Sequence, residues 1–356
     1  MRIKKKKVEM WKRGRLGEKQ MELREFEVVK KVRKLYTQDW KAYNQAKTKE
    51  RLIAESLLLE LIDYFPKKIS NGTKSGYSLK DKIIFMFYYA YNGFSSRRTI
   101  PDLEVAKRRY IISETPYFNT ILNVFRKEEM ISILSQLIEI TSLPLRMFEE
   151  HFAVDSSGFS TSQFERWVNV RTQNTSKIRN WKKAHIISGV RTNIIASVKI
   201  TDGTCADCPE LIPLVEKTNK LFDMKEVSAD KAYLSRDNLQ KIASLGCIPY
   251  IPFKSNSKKN PYGVMIWKTM YDFFHNNQEA FMEKYHLRSN VETSFSMIKR
   301  CYGNRLRTGK FTSQINEILM KCLCHNLSVL VQESFELGLE IDLKKCAGDY
   351  FAQQHN

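Results

Sequence analysis

Apolar and polar positions along this chain follow two periods, helical at both ends and strand-like in the middle. From Arg51, RLIAESLLLELIDYF carries apolar residues at helical spacing and meets Pro66, so it predicts a helix followed by the loop SNGTKSGYS. Ser78 is placed to cap a second helix, LKDKIIFMFYYAYNG, which Gly93 ends. The stretch SSRRTIPDLEVAKRRYIISETPYFNTILNVFRK, punctuated by Pro101 and Pro116, predicts two or three short helices, and EEMISILSQLIEITSL predicts an amphipathic helix reaching Pro144. Near residue 149 the character changes. HFAV predicts a short buried strand ending on Asp155, with RWVNVR a plausible second strand, and HIISGV and NIIASVKITDG predict a β-branched pair. A crossing helix, CADCPELIPLVEKTNKL, precedes EVSAD, a strand ending on Asp230. Helix SRDNLQKIASLG, strand CIPYIPF and the Lys-rich loop KSNSKKNPYG lead into a long helical stretch through Glu292, and an apolar helix spans 311–337.

Within that stretch, YHLRSNVETSFSMIK (Tyr285 to Lys299) contains no Pro or Gly and predicts one helix, with Leu287, Val291, Phe295 and Ile298 on its apolar side. With Tyr285 at zero, Arg288 falls near about −60°, Glu292 near about −20° and Lys299 near about −40° on the helical wheel, at about 100° per residue. The four polar groups share a strip roughly 60° wide over a rise of about 20 Å. Such a strip is either a solvated helix face or a carboxylate set among phosphate-binding groups.

Charge favours the second reading. The 356 residues hold 59 Lys and Arg against 39 Asp and Glu, a net charge of +20, which suits a polyanionic partner, most simply nucleic acid. There is no run of eighteen apolar residues, and MRIKKKKVEMWKRGR leads into no apolar signal segment, so the expectation is a cytoplasmic, nucleoid-associated protein without a membrane span. Residues 1–50 are basic, with Trp11, Phe26, Tyr36 and Trp40 interleaved, and read equally as a DNA-settling arm or a solvated tail. Seven cysteines, an odd number, suggest no disulfide framework. Cys205 and Cys208 with Cys322, Cys324 and His325 form a conceivable zinc set, but the second group sits in the apolar run NEILMKCLCHNLSVLV and reads better as packed core.

Tyr, two residues, Arg, three residues, Glu, six residues, Lys resembles the signature helix of bacterial and archaeal insertion-sequence transposases of the DDE type. Asp230-Lys231-Ala232-Tyr233 resembles that family's pattern around its second acidic residue. The order of three strands, helix, strand, helix, strand and closing helix resembles the RNase H-like fold. The resemblance covers about residues 149–300. It implies an α/β fold, a mixed five-stranded sheet flanked by helices, with an all-α DNA-binding region before it. The expected divisions are a basic arm (1–50), a helix-turn-helix-like DNA-binding domain (51–148), a catalytic domain (149–310) and a C-terminal helix and tail (311–356).

The resemblance further implies that Asp155, Asp230 and Glu292 bind two Mg²⁺ ions, which Mn²⁺ can replace, with Asp155 bridging both. The enzyme then hydrolyses phosphodiesters at the ends of a mobile element, and the freed 3′-hydroxyl attacks target DNA without a covalent protein–DNA intermediate. Arg288 and Lys299 are expected to hold phosphates, and Tyr285 to bond a phosphate or stack on an end base. Lys231, Arg300, Arg305, Arg307 and Lys310 are expected to add backbone contacts, and Arg97, Arg98, Lys107, Arg108 and Arg109 to serve the helical module. The segment between Asp230 and Glu292 is too short for the β-rich insertion some members carry. Expected partners are terminal inverted repeats, target DNA and a second copy of the chain. Alternatives are a structure-selective nuclease on the same fold and a transposase-derived DNA-binding regulator without turnover.

Overall fold

The computed structural model describes residues 39–65, 76–161, 181–259 and 263–354. Residues 1–38 of the expected basic arm and the RWVNVR segment lie outside the described residues, while the arm's last residues, from Trp40, belong to a helix.

Among the described residues, five helices come first: α1 (Trp40–Tyr64), α2 (Leu79–Asn92), α3 (Ser96–Arg108), α4 (Phe118–Phe125) and α5 (Glu129–Ser142). Their ends follow local chemistry. Asp39 Oδ1 accepts the Lys41 and Ala42 N–H groups at 3.0 Å each, so α1 begins well before the apolar repeat at Arg51. Ser78 and Asp81 form a reciprocal capping box at the start of α2, and Gly93 ends that helix at φ +67°. Pro101 does not punctuate as expected; α3 runs through it, forgoing one backbone bond.

The sheet follows: β1 (His151–Ser160), β2 (Trp181–Gly189), β3 (Ile195–Asp202), then α6 (Leu211–Leu221), β4 (Glu226–Ala229), α7 (Arg236–Ser244) and β5 (Ile248–Tyr250). Spatial order is β3-β2-β1-β4-β5, with β1 antiparallel to β2 and parallel to β4. The chain closes with α8 (Met265–Asn276), α9 (Gln278–Tyr285), α10 (Ser289–Tyr302), α11 (Phe311–Glu336) and α12 (Leu343–Gln354). A mixed five-stranded sheet flanked by helices is therefore present, in an order consistent with an RNase H-like fold.

β1 is longer than HFAV suggested. It runs through Asp155 to Ser160 because β2 pairs with it residue by residue, from Phe152↔Gly189 to Ser160↔Trp181. The run 285–299 is also not one helix: α9 ends at Tyr285, a 3₁₀ turn spans His286–Arg288, and α10 begins at Ser289. Helix-favouring residues on both sides do not prevent this tighter turn, which is common between helices.

Helix α11 is the centre of the core. Ile318, Leu319, Met320, Cys322, Leu323, Cys324, Leu327 and Leu330 are all buried, and the helix packs between α1, α5 and β3. Cys322 and Cys324 thus sit in the packed interior, as the apolar run implied, and His325 Nε2 pairs with the Asn193 carbonyl at 2.9 Å. Buried Asn326 closes the open side of β3: its Oδ1 accepts Ile195 N–H at 2.9 Å, and its Nδ2 donates to Ile195 O at 2.8 Å and Ile138 O at 3.1 Å. By length and composition Glu129–Phe148 is apolar enough to cross a membrane, but α5 within it packs on α11 and β3.

Candidate active site

Two strand positions and one helical turn build the site. In the parallel β1–β4 ladder Val154 pairs with Ala229, so the next residues, Asp155 and Asp230, leave that pairing side by side. Asp230 stands at the head of a 3₁₀ turn, Lys231–Tyr233, and its carbonyl accepts Tyr233 N–H at 2.9 Å. Ser156, Ser157 and Gly158 follow Asp155 on β1 and add little bulk beside it.

From the other side, Arg288 Nη1 donates to Asp155 Oδ2 at 3.0 Å, while its Nη2 pairs with Glu292 Oε1. One guanidinium therefore joins two of the three expected carboxylates. Ser156 N–H donates to Asp155 Oδ1 at 2.8 Å. Burial raises the pKa of Asp155; the Ser156 N–H bond and the Arg288 charge oppose this, and the charges of Glu292 and Asp230 add to it. The three acidic groups thus share one electrostatic neighbourhood.

Of the remaining signature residues, Lys299 reaches the same strand and Tyr285 lies beside Arg288. Lys299 Nζ donates to Ser157 Oγ at 2.6 Å, and burial lowers its pKa. Tyr285 is half-buried beside Arg288, whose guanidinium carbon lies 5.9 Å from the ring centroid. Of the apolar side, Val291, Phe295 and Ile298 are buried and Leu287 is half-buried.

The other expected DNA contacts divide. Lys231 and Arg300 are exposed. Arg305 is half-buried, with its carbonyl accepting Lys321 Nζ at 2.9 Å. Arg307 turns inward: it donates to the carbonyls of Tyr89, at 2.7 Å, and Phe94, and its guanidinium stacks 4.2 Å from the Tyr89 ring. Arg97 and Arg98 lie on α3, stacked over Phe118 at 4.2 Å and Phe94 at 5.4 Å, outside the Asp155–Arg288–Glu292 cluster. Asp207 was missed by the sequence reading. It accepts from Ser156 Oγ at 2.9 Å and Lys183 Nζ at 3.1 Å, and the C-x-x-C spacing around it drew attention to its neighbouring thiols instead.

An all-carboxylate set suits a hard divalent cation that prefers oxygen donors. The charges of Glu292 and Asp230 add to burial in raising the Asp155 pKa and Arg288 opposes them, so positive charge is favoured beside Asp155. The residues therefore fit such an ion in type and neighbourhood. In the arrangement present, with Arg288 between them, no group of three or more His, Cys, Asp or Glu among the described residues stands ready to hold one.

A family model described as Transposase DDE domain matches residues 146–327, a little over half the chain. The chain belongs to this family of DDE-domain transposases. Membership carries DNA as the substrate, transposition and DNA cleavage as the general activity, and a divalent metal as the family's general requirement. No curated protein and no solved structure matches the chain.

Proposed function

We propose that this protein is the transposase of an insertion sequence, cutting DNA at the element's ends and joining the freed 3′-hydroxyl to target DNA, with Asp155, Asp230 and Glu292 as the acidic residues of the reaction. The observation that carries this reading is the convergence of Asp155, from mid-strand β1, and Glu292, from α10, on one guanidinium, with Asp230 just past the end of the adjoining strand β4. Asp155, Asp230 and Glu292 would hold two Mg²⁺ ions, which Mn²⁺ can replace. When bound, such ions sharpen an attacking oxygen and take charge from a departing one.

The chain's own residues supply the rest. Lys299, fixed on Ser157 of β1, places a cation beside the acidic group where a backbone phosphate enters. Arg288 carries two donors that can pass from carboxylate to phosphate, and half-buried Tyr285 offers a hydroxyl and a ring face at the same edge. Lys231 and Arg300 extend the cationic surface, with Arg305 on the following loop. Helices α1–α5, with Arg97 and Arg98 exposed on α3, are assigned to recognition of terminal repeats. A basic N-terminal arm on DNA, a dimeric or larger assembly on the paired ends, and a cytoplasmic, nucleoid-associated prokaryotic setting complete the proposal.

The test is strand cleavage and strand transfer on DNA carrying the element's ends, with Asp155→Ala, Asp230→Ala and Glu292→Ala. Each variant should lose at least about a thousandfold in rate while DNA binding persists. A variant retaining full activity refutes the assignment of that residue. Cleavage without joining of a pre-cut 3′-hydroxyl end favours a nuclease, and binding without turnover favours a regulator.

A further inference from the structure

The loop between β3 and α6 reaches from the middle of β1 to the turn that follows β4. On one side, Asp207 Oδ1 accepts from Ser156 Oγ at 2.9 Å and Lys183 Nζ at 3.1 Å, and stands 3.5 Å from His185 Nδ1. Ser156 faces two carboxylates at once, its N–H donating to Asp155 and its O–H to Asp207. Lys183 Nζ also donates to Cys205 O at 3.0 Å, anchoring the loop's start on β2. On the other side, buried Asn238 Nδ2 donates to Cys208 O at 3.0 Å and Tyr233 O at 2.7 Å, tying the loop to the turn that begins at Asp230. Tyr233, whose carbonyl takes part in this link, is fully buried. After burial itself, the charges of Asp207, Asp155 and Asp230 all push its pKa up.

We propose that Asp207 is a positioning residue, which grips the Ser156 hydroxyl on β1 and, through Cys208 and Asn238, holds the turn that begins at Asp230 at a set distance from Asp155. The inference rests on Asp155 and Asp230 being the metal-binding acids. Its logic is geometric. The Ser156 N–H that meets Asp155 is backbone and keeps its place on β1, whereas the Ser156 side chain leaves the strand on the opposite face and ties β1 to the loop only while its hydroxyl is held. Lys183 balances the charge of Asp207 where it meets the Ser156 hydroxyl. Misplacing a reacting group by about 1 Å costs on the order of a hundredfold in rate.

Asp207→Asn keeps the shape and removes the charge. In the full chain, kcat for Mg²⁺-dependent cleavage should fall about a hundredfold with the KM for DNA within about twofold. Mn²⁺ binding to the DNA-free protein, followed by titration calorimetry, should weaken about tenfold. Ser156→Ala should move both readouts the same way, and Ser156→Thr, which keeps the hydroxyl and suits a strand, should restore them. These two variants decide the matter should Asp207→Asn fail to fold. A lowered melting temperature with kcat and Mn²⁺ affinity unchanged overturns the proposal, because Asp207 then only supports the fold. Wild-type protein that binds no Mn²⁺ and cuts no DNA overturns the acidic-site reading itself. Wild type that does both, matched by Asp207→Asn, overturns the positioning role alone.

Discussion

Arg288→Ala tests whether the acidic group is a cation site, because Arg288 is the positive charge that group now holds. The Asp155 and Arg288 side chains are 20% and 16% exposed, so their 3.0 Å pair is poorly screened, whereas Glu292 is 57% exposed and its pair with Arg288 contributes little. With charge centres about 4 Å apart and an effective dielectric constant near 20, the Asp155 attraction is about 4 kcal/mol before desolvation. Desolvating the guanidinium offsets part of this, so its removal should cost about 2–3 kcal/mol and lower the melting temperature by roughly 3–4 °C in a chain of this length. The informative part is what magnesium then does. In wild type a divalent cation must compete with Arg288 for Asp155 and Glu292. In Arg288→Ala it meets uncompensated carboxylates, and an ion at a hundred times its dissociation constant adds about 2.7 kcal/mol of stability. Thermal unfolding with chelator, with Mg²⁺, and with KCl at matched ionic strength should show a Mg²⁺-specific rise that is larger in Arg288→Ala than in wild type. A variant destabilised by that amount but indifferent to Mg²⁺ would mean that Asp155 and Glu292 serve only to hold the arginine.

Two further substitutions probe the scaffold. Burial, followed by the charges of Glu336 and Glu149, pushes the Glu333 carboxyl up to about 7 from 4.5, so its contribution to stability is complete below pH 4.5 and is lost as pH rises through about 7. Glu333→Gln should therefore be more stable than wild type at pH 8, by about 1–2 kcal/mol after allowing for solvent screening, and no more stable at pH 4; a gain independent of pH refutes the charge argument. Fully buried Glu317 accepts the N–H groups of Arg307 and Thr308, each at 3.0 Å, and lies 3.3 Å from Lys321 Nζ. Glu317→Ala should cost about 3–5 kcal/mol in urea unfolding, and a loss below about 1 kcal/mol would show that these groups find other partners.

Much of this architecture was legible because its signals are local. Ser78 with Asp81, and Gly93 at positive φ, mark the ends of α2 without reference to the rest of the chain. The buried run of α11 reads as interior from composition alone. What the sequence concealed depends on pairing partners. β1 extends to Ser160 because β2 lies alongside it, and nothing within HFAVDSSGFS announces that neighbour. The 3₁₀ turn at His286–Arg288 is similarly silent, since neither proline nor glycine marks it. Arg307 looked like one more phosphate contact in a basic run, yet two carbonyls of the helical region claim its guanidinium, an outcome only the tertiary structure defines.

The acidic residues were legible for a different reason: the topology leaves little choice about where they meet. A strand that pairs in parallel with β1 must return through a crossover, and its end then emerges beside the end of that ladder. Asp155 and Asp230 are consequently neighbours through the order of strands, whatever the intervening residues are. Glu292 has no such guarantee, because a helix can pack over the sheet at many rotations. Its place is set by Val291, Phe295 and Ile298 entering the core, and by Arg288 reaching Asp155 from the preceding turn. The spacing Arg288, three residues, Glu292 therefore does two things at once. It puts a cation and a carboxylate on the same edge of one helical turn, and it lets the cation find the carboxylate of a distant strand. Asp207 lacks both kinds of signal, being one acidic residue in a loop, and its partners Ser156, Lys183 and His185 become recognisable only once β1 and β2 are paired. Motif spacing can reveal groups that one element presents together; groups gathered from several strands by a loop have to be read from the fold.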